Sequence, residues 1–342
     1  MKAVALREHG GVETLRLEEL PDPVASAGRV VVRVKAVALN HLDVWVRRGW
    51  PGLRLAFPHV LGADVAGVVD SVGPGVEGVA VGDEVVLNPG VSCGRCEACL
   101  SGDDVLCGSY GILGEHVPGG YAEKVAAPSA NVLPKPRRLS FDEAACIPLV
   151  FLTAWHALVA RAALRAGETV LVHAAGSGVG SAAIQIAKVV GATVIATAGT
   201  DAKCERGRAL GADHVVNYAA TDFLAEVRRI TVRKGVDVVF EHVGKATWER
   251  SLLALRRGGR VVTVGATTGY DPPTDLRHVF YRSLSVLGST MGSKGELFRV
   301  LELVEEGKLR PVLDRALPLA RAAEAHKLLE NREQFGKIVL NP

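Results

Sequence analysis

The sequence contains no long apolar run. Its strongest apolar stretch, Ala144 to Leu152, is short and interrupted by Pro148, whereas crossing a bilayer takes about 20 residues. No membrane-spanning helix is expected. No secretory leader is expected either, because Lys2, Arg7 and Glu8 bring in charge before an apolar core could form. The expectation is a cytoplasmic protein without a membrane partner. An excess of one charge sign is also absent. Lys and Arg total 40, Asp and Glu total 37, and the net charge is +3. That balance gives no reason to expect nucleic acid as a partner. With 48% apolar and 23% charged residues, the chain is not a disordered one. Glutamine and methionine are scarce, two of each, and 28 of the 40 basic residues are Arg. A thermophile would show few thermolabile side chains, and a GC-rich genome would give the same bias. There is no internal repeat and no low-complexity tract.

What is present divides in two. A chain of 342 residues is long enough for two domains. From Val170 onward, short β-branched runs begin at Val170, Val194, Val215, Val236, Val261 and Ser285, spaced 24, 21, 21, 25 and 24 residues apart. Segments with helical spacing lie between them, including Ser181 to Lys188 and Trp248 to Leu255. Strands alternating with helices imply right-handed crossovers and a parallel sheet. Six strands complete a doubly wound dinucleotide-binding domain, the Rossmann arrangement. The connection from Gly265 to Leu284 is rich in Pro and Gly and should hold a loop and a short helix. The first 150 residues alternate strand-like runs with turns, as in Val30 to Val34, Gly73-Pro74-Gly75 and Glu84 to Leu87. They predict an antiparallel β domain of barrel character. The final segment has too few elements to fold alone and should return to that domain. The expected domains are 1–150 with 286–342, and an inserted 151–285.

Two local patterns carry chemistry. A strand from Glu168 to His173 runs into Gly176-Ser177-Gly178-Val179-Gly180 and then a helix. Small residues there let backbone N–H groups and a helix dipole meet a pyrophosphate. A tight structural turn is the plainer alternative. At the end of the second strand, Ala198 and Gly199 stand where an acid would bind the ribose hydroxyls of NAD. Thr200, Lys203 and Tyr218 could serve a 2′-phosphate, so the reading favours NADP, with Asp201 keeping NAD open. The second pattern is Cys93, Cys96, Cys99 and Cys107. Four thiolates at these separations can close a tetrahedron around one structural zinc. Iron–sulfur ligation fits less well, because the last gap is seven residues and no proline follows Cys107. Cys146 and Cys204 are isolated and read as buried apolar residues.

A β domain, a cysteine lobe and a six-stranded dinucleotide domain together resemble the medium-chain dehydrogenase/reductase superfamily, which includes zinc alcohol dehydrogenases and quinone oxidoreductases. The carriers are Asn40-His41-Leu42-Asp43, Pro58 to Val69, Val81 to Val85, Gly119 to Glu123 and the glycine turn. The resemblance implies a GroES-like antiparallel β-barrel catalytic domain with a zinc lobe at 93–107. It also implies an inserted six-stranded doubly wound Rossmann domain. Gly265, Ala266, Met291 and Lys337 are implied as cofactor contacts, and a homodimer or homotetramer, paired through the sixth strand, as the assembly. For Lys337 the alternative is an exposed strand-end charge.

Where zinc-using members place catalytic ligands, this chain has Asn40, Ala63 and, near the third position, Leu149. Asn40, Asp43 and Asp64 instead resemble the zinc-independent quinone oxidoreductase branch. Asn40, His41, Asp43 and His59 are the candidate catalytic residues, for orientation and hydrogen bonding. Asp43 could equally cap a helix, and His41 and His59 could be packing residues. The expected function is an NAD(P)-dependent oxidoreductase acting on a carbonyl, enone or quinone without a catalytic zinc. The alternatives are an alcohol dehydrogenase with unconventional metal ligands, for instance among His41, His59, Asp64 and His156, and a non-catalytic nucleotide-binding protein.

Overall fold

The computed structural model describes residues 1–342, which form two compact units. The first comprises Met1–Leu149 and Ser293–Pro342, and the second is the insertion Val150–Gly292.

In the first unit, seven strands build the main sheet. Its path runs Val132–Pro134, Glu84–Leu87, Asp64–Val72, Arg29–Ala38, Lys337–Asn341, Leu313–Pro318, with Lys124–Pro128 also pairing to Arg29–Ala38. Only the last two on the path pair in parallel. A three-stranded sheet of Arg16–Glu19, Lys2–Leu6 and His59–Val60 accompanies it. The longest strand, Arg29–Ala38, shows the expected period of two from Val32 to Ala36: Val32, Val34 and Ala36 are buried while Arg33 and Lys35 are exposed. Val32 and Val34 join Val4, Leu6, Val65, Leu87 and Leu340 in one core. The carboxy-terminal strand is central to this sheet, so the final segment folds with the first 149 residues.

The second unit is a six-stranded, all-parallel sheet. Its order is His214–Asn217, Thr193–Ala198, Thr169–Val172, Val236–Glu241, Leu255–Thr263, Ser285–Gly288. In chain order this is 3-2-1-4-5-6, the doubly wound arrangement with its crevice between strands one and four. Each of the six strand runs identified in the sequence falls on one of these strands. Helices Gly178–Val190, Asp201–Ala209, Phe223–Ile230 and Trp248–Ala254 form the connections, and a short helix, Leu276–Phe280, lies in the Pro- and Gly-rich one. The unit runs on to Gly292, past the expected boundary at 285, because the edge strand continues to Gly288. That strand bonds on one side only, and its Val286 is 46% exposed. No helix is long and apolar enough to cross a membrane.

Candidate functional site

The cysteine lobe is compact. The sulfurs of Cys93, Cys96, Cys99 and Cys107 all lie within 4.8 Å of one another, and none is in a disulfide. Cys93 and Cys99 sulfurs are 3.8 Å apart, and Cys96 and Cys99 are 3.5 Å apart. Zn–S bonds of about 2.3 Å give a tetrahedron with edges of roughly 3.8 Å, so the donor set fits zinc. Backbone N–H groups of Cys93 and Ser109, with the Ser109 hydroxyl, hold the Cys107 thiol down at about 6. Lys294, which opens helix Lys294–Glu305, ties this segment down. Its ammonium reaches Asp104 at 2.7 Å and Ser92 at 2.7 Å, and its N–H reaches Asp104 at 2.8 Å. No other three His, Cys, Asp or Glu side chains come close enough to hold an ion.

A second buried cluster surrounds Asn40. Asn40 precedes helix His41–Arg48, and Asp43 accepts the Asn40 N–H at 2.7 Å, which is the capping role foreseen for it. Its other oxygen accepts the Gly62 N–H at 3.1 Å. With 1% exposure, Asp43 touches protein rather than solvent. The Asn40 side chain donates to Asp64 at 2.9 Å and accepts from the Lys337 ammonium at 2.5 Å. Lys337 also donates to Asp64 at 2.8 Å, and Leu149 N–H donates to the other Asp64 oxygen at 2.6 Å. Lys337 is therefore not an exposed strand-end charge. It is 3% exposed, and its ammonium is committed to Asn40 and Asp64.

His59 is buried, and its Nε2 donates to the Gly114 carbonyl at 3.1 Å. Burial lowers its pKa, which favours the neutral ring. His41 is half-buried and stands edge-on to Trp45. His156 is buried in the second unit. In that alternative metal set the Asp64 oxygens are engaged by Asn40, Lys337 and the Leu149 N–H, and His59 faces the Gly114 carbonyl.

Behind Asp43 lies a chain of polar groups that the sequence reading missed. Arg47, 1% exposed, pairs with Glu330 at 2.7 Å and donates to His326 Nδ1 at 3.3 Å. Arginine has no acceptor, so the His326 proton sits on Nε2 and points to the Tyr121 hydroxyl at 3.2 Å. The Tyr121 proton is then free to reach Asp43, its hydrogen-bond partner. Burial and Arg47 push His326 down to about 3, so it stays neutral.

Asp43 itself is pushed up to about 6 by burial, against its N–H bonds and the Lys337 charge. A raised folded-state pKa means the native protein keeps a proton that the unfolded chain releases above about 3.9. This contribution to stability is complete below pH ~4 and lost as pH rises to ~6. It amounts to roughly 3 kcal/mol at most. The free-energy difference between the parent and Asp43→Asn, from urea titrations, should fall over that window and be flat from pH 6.5 to 8. A flat difference throughout would show that folding leaves the proton affinity of Asp43 unchanged.

In the second unit the glycine turn follows strand Thr169–Val172. Ser177 caps helix Gly178–Val190 by accepting the Gly180 N–H at 2.9 Å. Only glycine fits at 180, because a Cβ there would lie 2.4 Å from the Ala174 carbonyl. Thr200 and Lys203 follow the second strand, Tyr218 the third, Gly265 and Ala266 the fifth, and Met291 the sixth. The structure thus gathers these candidates at the carboxyl end of one sheet, the binding end of such folds. Gly199 occupies the strand end, and a Cβ there would lie 2.8 Å from the Tyr218 hydroxyl. An acid at this position would displace Tyr218. Asp201 is instead held by Asn217 at 2.8 Å.

Beneath the turn is another cluster that went unread. Glu241, fully buried, accepts from Val243 N–H, Gly244 N–H, Ser251 and Thr247. His173 contacts Ser251 at 2.9 Å, and His242 Nε2 donates to the His173 carbonyl at 2.9 Å. Burial lowers the pKa of both histidines. The cluster pins the turns after strands one and four.

Comparison with known proteins agrees with both units. Residues 26–137 match the alcohol dehydrogenase GroES-like domain, and residues 178–306 match the zinc-binding dehydrogenase domain. A curated NAD-dependent alcohol dehydrogenase of Sulfurisphaera tokodaii is 35% identical over all of both chains. Human quinone oxidoreductase is 30% identical over 99% of this chain and 97% of its own. A solved structure described as an NAD-dependent alcohol dehydrogenase is 58% identical over all of both chains, with a TM-score of 0.97. The chain belongs to the medium-chain dehydrogenase/reductase superfamily, a family of nicotinamide-dependent oxidoreductases.

Proposed function

We propose that the chain reduces conjugated or otherwise activated carbonyls (enones, quinones or aldehydes) with NAD(P)H, and that it does so without a catalytic zinc. The observation that carries this reading is the Lys337 ammonium lying between Asn40 and Asp64. Asn40 stands at one of the positions where the family resemblance would put a catalytic ligand, and at another the Leu149 N–H bonds to Asp64. Asn40, Ala63 and Leu149 do not form a zinc donor set.

The bound dinucleotide would supply the hydride to the electrophilic carbon. The chain's own task is to stabilise the negative charge that develops on oxygen. The buried Lys337 cation, committed to Asn40 and Asp64, would act on that charge through its field rather than by a direct hydrogen bond, with Asp43 fixing the Asn40 backbone and Asp64 its side chain. His41, half-buried at the same helix start, is the candidate to orient the substrate. The proton that completes the alcohol or ketone product comes from water. A conjugated acceptor spreads the charge itself, which suits a site with hydrogen-bond donors and no Lewis acid.

The four cysteines would hold one structural zinc, since four protein ligands leave no open position. We take NADP(H) as the better cofactor, because Gly199, beside the Tyr218 hydroxyl, stands at the strand end in place of an acid, although the similar proteins carry NAD in their names. The exposed edge strand Ser285–Gly288 is where a homo-oligomer would pair.

The test is zinc per chain on chelator-rinsed protein, together with NADPH and NADH oxidation over a panel of quinones, enones, aldehydes and simple alcohols. One zinc per chain, turnover of conjugated carbonyls, and NADPH used at least as well as NADH are expected. Two zincs per chain with oxidation of simple alcohols would favour an alcohol dehydrogenase instead.

A further inference from the structure

The candidate dinucleotide contacts occupy the carboxyl end of the parallel sheet. The opposite end of the same unit collects positive charge. Arg233 and Lys234 sit in the turn entering strand Val236–Glu241, and Arg256 and Arg257 begin strand Leu255–Thr263. Arg282 precedes strand Ser285–Gly288, and Arg228 lies in the last turn of helix Phe223–Ile230. These six side chains line one open concavity of about 660 Å³, and no carboxylate lines it.

The charges there are poorly compensated. Arg256 pairs with Asp237. Arg257 and Arg282 bond only to backbone carbonyls, those of Tyr281, Leu252 and Leu255, which solvate a cation without neutralising it. Arg228, Arg233 and Lys234 have no ion pair, since the neighbouring acids Glu226 and Asp222 are taken by Arg229 and Arg250. Elsewhere, several surface arginines are paired, as in Arg7 with Glu18, Arg33 with Asp70 and Arg321 with Glu324. Arg228 and Arg257 lie close enough to Arg282 to lower its pKa, together with burial. Backbone strain accompanies the cluster. Val232, 88% exposed, and Arg233 both adopt left-handed conformations, with φ of 48° and 64°, which is rare for a β-branched residue.

We infer that this concavity is a binding site for an oligophosphate chain, at the end of the sheet away from the dinucleotide crevice. Guanidinium forks match phosphate oxygens in pairs. Six cations around a space this large call for several linked anionic charges rather than one. The cations surround one concavity rather than running along a face, which suits a short oligophosphate.

The experiment is calorimetric titration of inorganic tripolyphosphate into the zinc-loaded chain, with and without one prior equivalent of NADPH. One tripolyphosphate per chain should bind, with an affinity changed less than twofold by NADPH. Arg228→Gln/Arg233→Gln should weaken it at least tenfold, whereas Arg137→Gln/Arg138→Gln, which alters exposed arginines of the other unit, should leave it unchanged. Without ligand, the first variant should melt no lower than the parent, because it removes like-charge repulsion. Pyrophosphate and ADP, compared directly, identify the source: equal affinity assigns the phosphate chain alone, and an ADP advantage assigns a nucleotide. Absence of binding beyond that of sulfate at equal ionic strength would overturn the inference. So would full competition by NADPH, equal loss in both variants, or tighter binding of duplex DNA.

Discussion

Replacing Lys337 with Met should destabilise the protein by about 3–5 kcal/mol, the usual cost of leaving one partner of a buried ion pair alone. Asp64 is fully buried and Lys337 is 3% exposed, so water cannot replace the lost cation. The carboxylate would keep only the Asn40 amide and the Leu149 N–H. Neutralising it as well should recover part of the loss: Lys337→Met/Asp64→Asn should be less destabilised than the two single changes added together. Activity offers a separate readout. If Lys337 helps to stabilise the developing oxyanion, kcat should fall by about 10²–10³-fold while KM changes little. Urea midpoints at pH 7 and steady-state kinetics on the same samples check both. A loss below 1 kcal/mol would show that the pair adds no net stability. An unchanged kcat would remove Lys337 from the chemistry.

What could be read from the sequence was what short-range pattern records. The six strand runs are local, and so are the glycine turn, the four cysteines within fifteen positions and the Asn40-to-Asp43 cap. The remainder depends on partners far apart along the chain. Lys337 meets Asn40 across 297 positions, and Arg47 meets His326 across 279. No periodicity reports such pairings. Lys337 misled for a physical reason. Its strand lies between Arg29–Ala38 and Leu313–Pro318, and Lys337 to Leu340 are all buried. With no open face the strand has no alternation to mark which side chains turn inward, so a lysine at its start reads as exposed. Glu241 was hidden similarly. It ends a strand covered on both faces, and its partners are backbone N–H groups and hydroxyls that leave no charge pattern.

Substituting Gly180 by Ala should cost the protein most of its cofactor affinity, raising the Kd for NADPH by about 100-fold. The added Cβ would lie 2.4 Å from the Ala174 carbonyl, 2.8 Å from Ser177 Oγ and 3.0 Å from the His173 carbonyl. Two of these are backbone oxygens that cannot swing away. The turn must move off the helix, and the helix N–H groups are re-aimed from the place where a pyrophosphate would sit. Overpacking of this kind costs roughly 1–3 kcal/mol of stability, so the variant should fold and the binding defect should be measurable by fluorescence titration. Ser177→Ala provides the contrast. It removes the cap on Gly180 N–H, worth about 1 kcal/mol, without moving a carbonyl, and should weaken NADPH only a few-fold. If Gly180→Ala bound NADPH within threefold of the parent, the turn would not be the pyrophosphate site. If both variants lost binding equally, the cap rather than the close approach would govern the cofactor, because only the hydroxyl contact is common to the two.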